Sequence, residues 1–167
     1  QLMHKVDFSS LIRGTIERHI EMDVISIKSV GDDKLAIINW PITEEDTMEK
    51  QAVIYDIDAN RILHILNGMG MDEENIDTIC ALKGGGFMYY DDQDNEIAFF
   101  IPKPGDALHQ EAHDLPFLKT SKSSYIRSIC QLQDGSVVAG TEYGDIIVYR
   151  GVCDGMKYHR KLCLHDS

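Results

Sequence analysis

The chain has no run approaching 18 consecutive apolar residues, so no transmembrane helix is expected. It has no basic start followed by an apolar stretch, so nothing reads as a signal peptide. Positive charge is scarce: 16 Lys and Arg stand against 28 Asp and Glu, for a net of -12. That deficit argues against a nucleic-acid backbone as partner, because such proteins neutralise phosphates with clustered cations. It argues equally against an anionic membrane surface, and it leaves a basic protein or peptide as the fitting partner. No Pro/Ser-rich or single-residue tract occurs, so disorder is not the overall reading. Of the four cysteines, Cys80, Cys130, Cys153 and Cys163, the first two sit inside apolar strand patterns. Free buried thiols are expected there, which favours a reducing compartment, cytoplasmic or nuclear. Helical spacing is nearly absent too; it is plausible only at Leu11, Ile12, Ile16 and Ile20, and Gly14 interrupts it.

What remains is strand-type alternation broken by Gly, Asp and Asn. A length of 167 residues makes one domain the default, and 43% hydrophobic residues is ordinary for a packed core. The chain starts at Gln1 rather than Met, which fits an excised or trimmed part of something longer.

The strand runs repeat. "VISIKSV" (24–30), "IDTICAL" (76–82) and "IRSICQL" (126–132) share apolar residues at positions one, four and seven, with Ser or Thr at the third. Each is followed by a turn: "GDD", "KGGG" and "QDG". Second runs follow ("KLAIINW", "FMYYDD", "SVVAGTE"), then third runs ("QAVIYDID", "EIAFFIP", "DIIVYRG"). Fourth runs are "RILHILNG", a weak "ALHQEAH" and "KYHRKLCLH". Four short strands repeated three times is a pattern of antiparallel propeller blades. A β-sandwich of about 12 strands is the competing architecture, since sandwiches also space short strands regularly. It leaves the return of the same residue types unexplained.

"VVAGTEYGDIIVYR" (137–150) resembles the core of a WD repeat. Thr141 stands at the family's Ser/Thr position and Tyr149-Arg150 at its Trp-Asp position. Tyr143 stands where the family often has Asp, so the usual buried His–Ser/Thr–Asp–Trp hydrogen-bond set is incomplete. Tyr55-Asp56 fills the Trp-Asp position in the first repeat, and Phe100-Ile101 has lost it in the second. His19, His113 and His165 occupy the inter-blade His position, where Gly68-Met69 has replaced it. The resemblance covers residues 10–167 and implies an all-β fold, part of a β-propeller, with about three four-stranded antiparallel blades. The implied units are 1–22 (outer strand of a preceding blade and a loop), 23–69, 70–113 and 114–167. Three blades cannot close a ring. The implied partner set therefore includes an additional chain, or a second copy, that completes it.

In an up-and-down blade, alternate connections emerge on the same rim. One rim would carry 20–23, 41–50, 70–75, 91–96, 114–124 and 142–145. These segments hold 16 of the 28 acidic residues and three of the 16 basic ones. The expected partner-binding residues are Glu44, Glu45, Asp46, Glu73, Glu74, Asp91, Asp92, Asp94, Glu142 and Tyr143. They would receive a basic peptide or protein surface, steered by a long-range field that salt weakens. "DLPFLKTSKSS" (114–124) reads as a mobile connection on that rim, with a partner-binding or phosphorylatable loop as the second reading.

Catalytic signatures are missing. "KGGGF" (83–87) lacks the Gly-Lys-Ser/Thr ending and the following helix of a phosphate loop, and reads as a tight turn needing positive φ. "DDQDNE" (91–96) lacks the sixth-position Gly and terminal Glu of a calcium loop. Cys153, His159, Cys163 and His165 match no strong zinc spacing. The expectation is a non-enzymatic interaction scaffold without cofactor, metal or catalytic residues. The alternative is a propeller enzyme using rim carboxylates with a divalent metal.

Overall fold

The computed structural model describes residues 21–31, 33–42, 50–71, 78–83, 85–103, 105–120, 125–150 and 157–163; for 21, 22, 40–42 and 157–163 it describes the backbone alone. The strands are β1 (Glu21–Ser29), β2 (Lys34–Ile42), β3 (Lys50–Asp56), β4 (Arg61–Met69), β5 (Cys80–Ala81), β6 (Phe87–Asp91) and β7 (Glu96–Phe100). After them come β8 (His109–Glu111), β9 (Phe117–Lys119), β10 (Ile126–Gln131), β11 (Val137–Thr141), β12 (Asp145–Arg150) and β13 (Lys157–Cys163). Among the described residues there is no α-helix, and a 3₁₀ turn covers Ala112–Asp114. The chain is all-β, as the alternation predicts. Its strands form three sheets, ordered β1-β2-β3-β4-β8, β5-β6-β7-β9 and β10-β11-β12-β13.

The repeat is visible in the backbone. The turn joining the first two strands of each sheet has the same hydrogen bond: Val30 N donates to Lys34 O (3.1 Å), Leu82 N to Gly86 O (3.1 Å) and Leu132 N to Ser136 O (2.8 Å). These positions are separated by 52 and 50 residues, the spacing of the apolar runs. In the second and third copies an inner bond closes the turn as well, from Gly85 N to Leu82 O and from Gly135 N to Leu132 O. Both turns need positive φ, and glycine supplies it at Gly85, Gly86 and Gly135.

Side-chain alternation stacks the sheets in sequence order. In β6 every residue is buried. Phe87 and Tyr89 pack with Ala36, Ile38, Ile54 and Leu66 of the first sheet. Met88 and Tyr90 pack with Ile126, Val137, Ala139 and Tyr149 of the third. Successive residues of a strand face opposite ways, so a middle sheet must be apolar on both faces. The first sheet has a second apolar row as well, Ile37, Val53, Tyr55 and Ile65, buried outside both clusters. Tyr55 and Tyr149, at the Trp-Asp positions of the first and third repeats, are each only 2% exposed.

Two features differ from the sequence-based expectation. The weak fourth run of the second unit, 107–113, does not return to β7. Instead β8 pairs in parallel with β4, and β9 takes the fourth place beside β7. Proline explains the detour. Pro102 and Pro104 lack the N–H that a tight antiparallel return would need. Polar side chains then hold β8 in place: Gln51 Nε2 donates to Asn67 Oδ1 (2.6 Å), and Asn67 Nδ2 to Glu111 Oε1 (3.0 Å). The second difference is Cys130, which is exposed, while Cys80 is half-buried. A bulge between Ile126 and Ser128 shifts the alternation, so Ile129 faces inward and Cys130 outward.

Candidate interaction surface

One end of the stacked sheets gathers the acidic turns. The β6–β7 turn is built by its own side chains. Asp91 Oδ1 accepts the N–H groups of Gln93 and Asp94, each at 3.1 Å, as short carboxylates do in turns. Asn95 takes the left-handed conformation (φ 55°) that Asn tolerates. Its side-chain oxygen accepts the Tyr90 hydroxyl (3.4 Å), and its carbonyl accepts Thr120 N (3.0 Å) and Thr120 Oγ1 (2.8 Å).

Asp91 is therefore turned into the fold rather than presented on the rim; it is 7% exposed. Burial raises its carboxyl to about 6; the Asp94 N–H opposes the rise, and the Asp94 and Glu96 carboxylates add to it. Burial, followed by the Asp91, Glu96 and Asp94 carboxylates, also pushes the Tyr89 phenol far above its usual range. Asp92 is half-buried and Asp94 is exposed. Glu96 binds Lys119 Nζ at 2.8 Å, and this hydrogen bond raises the Lys119 ammonium.

The neighbouring β11–β12 turn carries Glu142 and Tyr143. Thr141 Oγ1 accepts Asp145 N (3.1 Å), and Gly144 N donates to Thr141 O (3.1 Å). Glu142 pairs with Arg127 at 2.8 Å. Tyr143 is 60% exposed, and its ring lies 6.4 Å from that of Tyr125, tilted by 58°. Burial raises the Tyr90 phenol; the Thr120 hydrogen bond opposes the rise, and Asp92 and Tyr125, from the two turns, add to it.

Two further hydrogen bonds draw the flanks of segments 43–49 and 72–77 to the same end. Lys50 Nζ donates to Met71 O (2.5 Å), and Asp92 N donates to Gly70 O (3.1 Å). The first bond joins the residue that follows segment 43–49 to the residue that precedes segment 72–77. The second joins the latter flank to the β6–β7 turn. Gly70 fits tightly here: a Cβ on it would meet Asp91 Oδ1 at 2.6 Å. Glu44, Glu45, Asp46, Glu73 and Glu74 themselves lie outside the described residues, as do His19, Cys153 and His165 and the side chains of His159 and Cys163. His113 is exposed in the 3₁₀ turn, with Nε2 3.6 Å from Asp114 Oδ1.

Sequence reasoning missed Tyr125, Arg127 and Lys119. Register holds the signal for the first two: Ile126 pairs with Thr141, so the start of β10 lies beside the Glu142–Tyr143 turn. Lys119 had no such signal, because β9 was not expected as a strand. Among the described residues no three His, Cys, Asp or Glu side chains converge to hold a metal ion. No described helix is long and apolar enough to cross a membrane. No family model, no curated protein and no solved structure matches the chain.

Proposed function

We propose that this chain is a protein-interaction module: part of a WD-repeat-like propeller whose acidic rim receives a basic segment of a partner protein. The Lys50–Met71 and Asp92–Gly70 bonds carry this reading, since they bring the flanks of three acidic segments to one place. Asp92, Asp94 and Glu142 supply charge there, and the exposed Tyr125–Tyr143 pair supplies aromatic contact of the kind that dominates interface energetics. The repeated turns and the three-sheet stack support the propeller reading. So does the outer face of the third sheet, where Val138, Ile146 and Val148 are only partly buried, as on a blade awaiting its neighbour.

The test is binding of Lys/Arg-rich peptides to the chain across ionic strength. Affinity should fall by about tenfold or more between about 50 and 300 mM salt. It should fall further when Glu44, Glu45 and Asp46 are replaced by their amides. Binding that ignores both salt and these substitutions would overturn the reading.

A further inference from the structure

The opposite end of the molecule holds a cluster of cations. There the turns at 30–34 and 82–86 face each other across a cleft of about 840 Å³ between the first two sheets. Four cations from four separate segments line it: Lys34 at the start of β2, Arg61 at the start of β4, Lys83 after β5 and Lys103 after β7. One carboxylate, Asp56, lines it with them, and its Oδ1 already accepts Ala59 N at 2.9 Å. Among the described lining residues, four cations against one carboxylate leave a net of +3 on a chain whose net charge is -12. None of the four enters an ion pair among the described residues, unlike Lys119 and Arg127 at the acidic end.

Like charges placed around one concavity repel each other, by several tenths of a kcal/mol per close pair, and random surface decoration would disperse them. An anion in the cleft removes that repulsion. The cleft floor is apolar, with Val30, Ile54, Leu63 and Leu82 beneath the charges, which lowers the local dielectric and strengthens attraction. The volume falls within the range of small-molecule sites, roughly 300–1,000 Å³. Three ammonium groups and one guanidinium suit phosphate groups, which offer several acceptor oxygens at high charge density. The site is not a phosphate loop of the strand–helix kind. Gly85 N and Leu82 N are both spent on closing the turn, so side chains must do the binding.

We infer that this cleft binds a small molecule bearing two or more phosphate groups, held by Lys34, Arg61, Lys83 and Lys103. The site is independent of the acidic rim and lies at the other end of the strands.

Titration calorimetry of the full chain with tripolyphosphate tests it, with orthophosphate and an oligoglutamate peptide as comparison arms. Tripolyphosphate should bind at least about tenfold more tightly than orthophosphate or the peptide. K83Q and K103Q, both at exposed positions, should each weaken tripolyphosphate by about fivefold or more and leave the thermal midpoint of the free protein unchanged. Arg150→Gln, which removes a cation outside the cleft, should leave the affinity within about twofold. Absence of tripolyphosphate binding would overturn the inference, as would equal losses from R150Q and K83Q. Tighter binding of the peptide would overturn the assignment to a small molecule.

Discussion

Tyrosine shows how far position overrides residue type. Tyr149 and Tyr143 are six residues apart, yet one is 2% and the other 60% exposed. Tyr149→Ala empties space between the second and third sheets and should lower stability by about 3–5 kcal/mol, as should Tyr55→Ala in the first sheet. Tyr143→Ala should change stability by less than about 0.5 kcal/mol while weakening partner binding. Denaturant titration of the three variants separates these outcomes; a neutral Tyr149→Ala would displace β12 from the core. Asp91 has a different signature. Its folded carboxyl titrates near 6 against an ordinary 3.8, so between these values the folded state holds more protons than the unfolded one. Stability is then greatest below about 3.8 and declines as pH rises through 6. Asp91→Asn keeps an oxygen for the Gln93 and Asp94 N–H groups and removes the titration. The variant should lose this decline, gaining about 1 kcal/mol relative to the parent at pH 7.5 compared with pH 4. Parallel denaturant titrations at the two pH values check it.

At the scale of the element, the glycine turns and the detour through β8 decide the second sheet. A Cβ on Gly86 would meet the Phe100 carbonyl oxygen at 2.1 Å with φ at 81°, so Gly86→Ala should destabilise by about 3 kcal/mol or more. Gly85 also has positive φ (101°), but a Cβ there meets nothing within 4 Å. Gly85→Ala should therefore cost only about 1–2 kcal/mol. Thermal unfolding of the pair distinguishes close approach from backbone conformation alone. "KGGGF" announced this turn in sequence because positive φ has a residue signature. The exchange of β8 and β9 had none. A three-residue strand such as Phe117–Lys119 is too short to show a period, and its place is set by Leu118 in the core and by Lys119 on Glu96. Likewise Cys130 read as buried, because a bulge shifts the alternation without marking the sequence.

For the whole molecule, charge is unevenly placed between the two ends of the stack. Acidic turns gather at one end and a cationic cleft lies at the other. The partly buried row Val138, Ile146 and Val148 makes a further prediction about assembly. Light scattering should show the isolated chain self-associating, because a sheet face that no described sheet covers favours a second copy. A monomer that unfolds cooperatively would show that the third sheet needs no neighbour.

The sequence by itself determined the all-β class, the repeat at 52 and 50 residues, the glycine turns and the burial of Tyr55 and Tyr149. All of these follow from local patterns: alternation of period two, positive-φ residues, and like residues recurring at fixed intervals. Only the tertiary structure decided that Lys50 reaches Met71, that Asp91 is a turn residue rather than a rim charge, that β8 joins the first sheet, and that four distant cations line one cleft. Except for the local Asp91 turn, each of these joins residues far apart in the chain. Their proximity depends on how the sheets stack, and that stacking leaves no mark in the order of neighbouring residues.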